Sequence, residues 1–283
     1  MNNKRFVFVC DLFHDQYIGG AELTTAALMQ NREKEIQKVN CQLVDSHFIS
    51  SNKNKRWIIG NFASLTDKAK YEILKSNIQY WIIEYDYKYC IHRNPSLHIL
   101  REGKCECEKT ERIKLLNLFF HGAQQVFYMS EMQKQIYSEK MKRLDNGIVL
   151  SSVFTKEKLE YIDNLNKEKN EKWLIYKTDN YLKGTENSIK YAIDNALEYQ
   201  TFSNLAHEEL IRLLAKSKGL IFLPNGEDTC PRLVIEAKLC HCEVICNDKV
   251  QHYKEEWFQN VKDCMEYMSS RCEYFWSFID ESN

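Results

Sequence analysis

Residues 221–248, IFLPNGEDTCPRLVIEAKLCHCEVICND, carry the decisive stretch of this chain. They read as a buried strand over Gly219–Leu223, a polar turn, a helix over Pro231–Leu239 and a second short strand over Glu243–Cys246. Asp228 falls in the turn and Glu236 on the following helix, eight residues on. Both carboxylates can therefore face one ligand above the carboxyl ends of the strands, where open α/β sheets bind ligands. Between the acids stands Thr229-Cys230-Pro231-Arg232-Leu233. Proline at a first helical position signals a helix start, and the N–H groups of that turn form an anion site. Carboxylates for hydroxyls beside a helix start for phosphates suit a sugar nucleotide.

Outward from this stretch the chain alternates strands and helices. Phe6–Cys10 is a strand, and Ala21–Gln30 continues from Gly19-Gly20 as a helix. Gln42–Val44 and Trp57–Ile59 are short strand candidates, Lys68–Ser76 a helix and Tyr80–Tyr85 a buried strand. Arg112–His121 reads as a helix, Gln125–Tyr128 as a strand, Ser130–Lys140 as a helix and Gly147–Leu150 as a strand. A second series runs Trp173–Tyr176, helix Thr185–Asn195, strand Leu197–Thr201 and helix Ala206–Ala215 before the opening stretch. Such βα alternation predicts an α/β fold of doubly wound parallel sheets. The second series has only about four strands, which is small for a unit of this kind.

Three pieces in order resemble the GT-B glycosyltransferases of family 4. One is Asp228–Ala237 followed by Cys242-Glu243-Val244-Ile245, which follows the family's signature with its two acids. The second is Gly19-Gly20-Ala21-Glu22, like the family's N-terminal Gly-Gly-Ala-Glu loop. The third is Lys183-Gly184-Thr185-Glu186, like its Lys-Gly motif. The chain departs from the pattern at Asp228 in place of the usual Glu, with Glu227 adjacent as a substitute. Thr229 replaces a Gly, and Tyr176-Lys177 stands where the family has Gly-Arg.

The resemblance implies a GT-B fold: two Rossmann-like domains facing a cleft, the C-terminal one small. The expected division is 1–155 for an N-terminal acceptor domain, a charged connection over 156–172, 173–253 for the nucleotide-sugar domain, and 254–283 for a C-terminal helix returning to the first domain. The implied activity is retaining transfer of a sugar, hexosyltransferase-type, from a UDP- or GDP-sugar to an acceptor hydroxyl. It is similar to that of short phage- and metagenome-borne members. The acceptor classes are a glycan, a lipid-linked sugar or modified nucleic acid. Two alternatives remain: a viral-type enzyme acting on modified DNA bases, and a non-catalytic module that binds a nucleotide sugar.

The family's roles carry over residue by residue. Glu236 takes the ribose hydroxyls, or is a solvated helix residue. Asp228 contacts the donor sugar, or caps the helix at Pro231, or does both. Lys183 places its ammonium on the leaving diphosphate, with Lys177 or Arg232 as a second cation. Thr229, Cys230, Pro231, Arg232 and Leu233 complete the donor loop. Gly19 and Gly20 let the backbone approach the donor from the other domain. Glu84 or Asp86, at the end of a buried strand, orients the acceptor, or is a solvated strand end. On this reading the chemistry needs no metal or other cofactor.

Cys90, His98, Cys105 and Cys107 form a separate constellation in a stretch that reads as loop. Four soft ligands at C-x7-H-x6-C-x-C spacing suit a tetrahedral structural zinc ion, with His92 as a competing ligand. The alternative is a set of incidental reduced thiols. Cys240 and Cys242 lie in a helix–strand turn and read as packing residues.

Bulk properties fit two modest domains. The chain has 283 residues, 44% hydrophobic and 28% charged, with a net charge of −1. That balance gives no global pull toward nucleic acid or anionic membrane. No apolar run approaches the ~18–20 residues that cross a bilayer. The MNNKRFVFVCD start reads as a first buried strand rather than a signal peptide, so a cytoplasmic location is expected. Eleven cysteines in a chain this long are expected to be reduced thiols. No P-loop, dinucleotide fingerprint or Ser/His/Asp set is present.

Overall fold

A computed structural model describes residues 4–141 and 146–281. The chain divides into two compact units. The first comprises Met1–Arg93, Cys105–Val153 and Arg271–Asn283; the second comprises Asn94–Lys104 and Phe154–Ser270.

In the first unit the strands are β1 (Phe6–Cys10), β2 (Ile36–Asn40), β3 (Arg56–Ile59), β4 (Tyr80–Glu84), β5 (Val126–Tyr128) and β6 (Gly147–Val149). Its helices include α1 (Gly20–Met29), α2 (Ser46–Asn52) and α3 (Asp67–Lys75). The chain then passes through α4 (Pro95–Glu102), which belongs to the second unit, and returns to form α5 (Glu111–His121) and α6 (Glu131–Lys140). All strands pair in parallel, in the order β2-β1-β3-β4-β5-β6. The sheet reverses direction between β1 and β3, which is its topological switch point. Strands β1 and β4 are buried at every position, so both faces are covered by helices, as parallel sheets require.

In the second unit α7 (Lys156–Asp163) leads to β7 (Trp173–Tyr176), α8 (Thr185–Asp194), β8 (Tyr199–Phe202), α9 (His207–Lys216), β9 (Gly219–Phe222), α10 (Arg232–Leu239) and β10 (Glu243–Cys246). The parallel order is β10-β9-β7-β8. Its switch point lies between β7 and β9. The last helix, α11 (Val261–Asp280), starts in the second unit and ends in the first. Within the first unit, Trp276 packs edge-on to Phe6 at 5.3 Å and donates its indole N–H to Leu28 O at 2.9 Å.

Three local expectations are corrected. The strand expected at Gln42–Val44 is a 3-10 turn over Cys41–Leu43, and the strand lies earlier, at β2. β2 alternates weakly because Gln37 and Lys38 are polar, and its position follows from pairing Phe6 with Ile36. The stretch between Cys90 and Cys105, expected as loop, contains α4. Asn94 caps it through Leu97 N, Pro95 opens it, and Gly103 closes it at φ +79°. That is a full set of helix boundary signals. Finally, β8 starts at Tyr199 rather than Leu197, and no residue of this edge strand is buried except Phe202.

Candidate functional site

The loops after β7 and β9 meet at the carboxyl edge of the second sheet, on its switch point. The first of them ends in a 3-10 turn over Tyr181–Lys183, then Gly184 and α8. Gly184 has φ +65°, and a Cβ there would stand 1.9 Å from Leu223 O. Only glycine fits, because it tolerates both the left-handed backbone and the passing β9 loop. Lys183, one residue earlier, is thereby held against that loop. Its ammonium donates to Asp228 Oδ2 at 2.7 Å. Asp228 is fixed by its backbone, which receives a bridge from the Val250 segment: Asp228 N donates to Lys249 O, and Gln251 N donates to Asp228 O. No side chain caps α10 at Pro231, so Asp228 is not its N-cap.

Glu236 lies on α10 with 3% exposure. Burial of a carboxylate demands a partner, and His207 Nε2 meets Glu236 Oε1 at 2.9 Å. His207 opens α9, the helix before β9. Sequence reading missed it, because nothing in the Ala-His-Glu-Glu helix start ties it to a residue on the next helix. Arg232 is buried, with its guanidinium 3.8 Å from the Phe154 ring centre. Thr229, Cys230 and Pro231 are buried and Leu233 half-buried, whereas Lys177 is exposed just past β7.

Glu227 is committed elsewhere. Its carboxylate accepts from Ser96 Oγ at 2.5 Å, from Ser96 N at 3.0 Å and from Lys249 at 3.0 Å. Burial alone would raise this carboxyl, but the Ser96 and Lys249 hydrogen bonds outweigh it and hold it below its ordinary value. Glu227 thus places a negative charge at the N-terminus of α4, the favourable end. Of the adjacent acids, Asp228 is the one paired with the motif lysine.

In the first unit, Gly19 caps α1 with extended backbone at φ −138°. A Cβ on it would stand 2.5 Å from Glu22 Oε2 and 2.8 Å from the Tyr17 ring. Gly20 begins the helix. At the carboxyl end of β4, Lys88 sits 2.6 Å from Asp86 Oδ1 but 3.4 Å from Glu84 Oε1. The Arg93 guanidinium also grips Asp86. Burial would raise Asp86, yet Lys88 and Arg93 outweigh it and pull the group below its ordinary value. Glu84 is fully buried, and that desolvation pushes it up to about 8 despite Lys88. Its Oε2 has no hydrogen-bond partner among the described residues. The two acids are therefore pushed apart: Asp86, doubly paired, toward the ionised form and Glu84 toward the protonated one.

Of the sulfur and imidazole ligands, the first unit brings together the thiols of Cys90, Cys105 and Cys107. The Cys90 and Cys105 sulfurs are 3.8 Å apart. His98 lies on α4, buried, with Nε2 3.0 Å from Glu102 Oε2. The second Cys-x-Cys pair is occupied otherwise: Cys242 Sγ lies 3.1 Å from Leu214 O, and Cys240 Sγ lies 3.7 Å from Ile211 O. Among the described residues no helix is long and apolar enough to cross a membrane.

No family model matches the sequence, and no curated protein does. Solved structures match its fold. HepE of Anabaena, in complex with UDP and glucose, superposes with a TM-score of 0.54 at 10% identity, over 98% of this chain and 97% of that one. A glycosyltransferase of avilamycin A biosynthesis gives 0.55 at 7% identity, over 98% and 97%. A UDP-N-acetylglucosamine 2-epimerase homologue from Listeria monocytogenes gives 0.51 at 9% identity, over 99% and 98%. At these identities the likeness is one of architecture, and it runs through both sheets: the chain has the GT-B fold.

Proposed function

We propose that this protein is a retaining glycosyltransferase that moves a sugar from a nucleoside-diphosphate sugar to an acceptor hydroxyl. The observation that carries the reading is the Lys183–Asp228 pair at the switch point of the second sheet, 2.7 Å apart. These two motif residues are 45 positions apart in the chain and meet where this fold class binds ligands. HepE, with the same fold, was solved with UDP-glucose as well as with UDP and glucose.

In this reading the donor's diphosphate takes the Lys183 ammonium from Asp228. Asp228 then turns its carboxylate to the sugar hydroxyls. Glu236 keeps Oε1 on His207 and offers Oε2 to the ribose. Thr229, Cys230, Pro231 and Leu233 form the donor loop. Arg232 or Lys177 adds a second cation, and Gly19-Gly20 leaves room for close backbone approach. The bond from the anomeric carbon to the diphosphate oxygen breaks, and its electron pair stays on the diphosphate. Lys183 stabilises that growing charge, the acceptor oxygen bonds the anomeric carbon on the face that the diphosphate leaves, and the acceptor's hydroxyl proton passes to the departing diphosphate oxygen. The first unit supplies the acceptor side, where Asp86 or Glu84 orients the hydroxyl. No metal or cofactor enters the transfer, and the protein acts in the cytoplasm.

Thermal stabilisation by UDP- and GDP-sugars tests the binding step. A ligand at a hundred times its Kd adds about 2.7 kcal/mol. Slow release of free sugar from the stabilising donor, without acceptor, tests the chemistry. Stabilisation without any hydrolysis or transfer would leave a binding module, and no stabilisation by any nucleoside-diphosphate sugar would overturn the reading.

A further inference from the structure

The Cys90, Cys105 and Cys107 thiols converge where the chain leaves and re-enters the first unit. Arg93 is the last residue before the excursion through Asn94–Lys104, and Cys105 is the first after it. Cys90 closes a tight turn, donating its N–H to Tyr87 O at 2.9 Å and accepting from Arg93 N at 3.0 Å. Cys107 opens a 3-10 turn that runs into α5. Both legs of the excursion are thus held by backbone structure, and their sulfurs face one another within 4.8 Å. That is wider than a disulfide and close to the spacing of sulfurs around one tetrahedral ion with metal–sulfur bonds of about 2.3 Å. None of the eleven cysteines is in a disulfide.

We propose that Cys90, Cys105 and Cys107, all in the first unit, hold one structural zinc ion that pins the neck of that excursion. Gly103 reverses the chain at φ +79°, two residues before Cys105. On binding, each thiol loses its proton to solvent as its sulfur–zinc bond forms, so uptake releases protons and weakens in acid. The three thiolates hold the ion, whose role is structural.

The site has no part in the transfer chemistry, so its test is independent of it. Protein purified without chelator is expected to carry one zinc per chain by elemental analysis. Cobalt substitution is expected to give the intense visible bands of tetrahedral thiolate coordination. Cys105→Ser and Cys107→Ser each remove the metal, whereas Cys272→Ser keeps it. If these variants fail to fold, chelator competition on the parent protein still reads the affinity. Metal-free protein with eleven titratable thiols would overturn the site. Metal-free protein with nine would replace it with a Cys90–Cys105 disulfide.

Discussion

Glu236 is a buried carboxylate met by His207 at one oxygen. In the proposed donor site the other oxygen serves the ribose. Glu236→Ala should weaken nucleoside-diphosphate binding by about 10- to 100-fold, the worth of hydrogen bonds to a charged group. His207→Ala should weaken it less, because it loosens the carboxylate without deleting it. Calorimetry on both variants checks the order, and equal binding by Glu236→Ala and the parent would remove the ribose role. Lys183 differs in kind. Its partner is Asp228, so its charge is already compensated, and under the proposed function its contribution comes when the leaving group develops charge. Lys183→Ala should lower kcat by roughly 10²-fold or more with a smaller change in donor affinity. Single-turnover rates beside equilibrium binding make that distinction.

At the scale of elements, the short turns after β10 carry a titratable feature. His252 is fully buried, stacked on Trp257 at 5.4 Å and edge-on to Phe258 at 4.8 Å. Neither ring nitrogen has a hydrogen-bond partner among the described residues. Burial depresses its pKa from 6.5 to about 3. A depressed group contributes stability that is present above its unfolded value and lost as pH falls through the window from 6.5 to about 3. The slope in that window approaches at most about 1.4 kcal/mol per pH unit for one proton. His252→Phe should flatten this acid limb. Denaturant midpoints measured at steps from pH 7 to pH 4 check it, and an unchanged slope would mean that the ring already finds a proton acceptor.

Across the whole molecule, the last turns of α11 complete a sheet built from the start of the chain. Trp276 meets Phe6, donates to Leu28 O and lies under the Arg32 guanidinium at 4.3 Å, while Arg32 also pairs with Asp280. Phe275 packs on Phe127 of β5 at 4.7 Å. Trp276→Ala should destabilise the first unit by about 3–5 kcal/mol, the usual cost of removing a buried large aromatic. Urea denaturation should show the loss in the transition that exposes the first unit. A change within about 0.5 kcal/mol would mean that the helix end contributes nothing there.

The sequence alone determined the alternation of strands and helices, the parallel α/β class and the motif that runs from Asp228 to Glu236. Those signals are local: unbroken apolar runs such as Tyr80-Trp81-Ile82-Ile83, a proline at a helix start, glycine beside lysine. It also supplied the thiol and imidazole spacing. Tertiary structure decided the rest. Position within the sheet settled β2, because a weakly patterned edge strand takes its register from its neighbour. Spatial convergence made Asp228 rather than Glu227 the partner of Lys183, since the two adjacent acids are chemically interchangeable until one is claimed by Ser96 and Lys249. The same holds for His207, whose partner lies 29 residues on. It holds too for Glu84 and Asp86, similar acids two residues apart. Their pKa values move in opposite directions because Lys88 stands closer to one and the fold buries the other without a second cation.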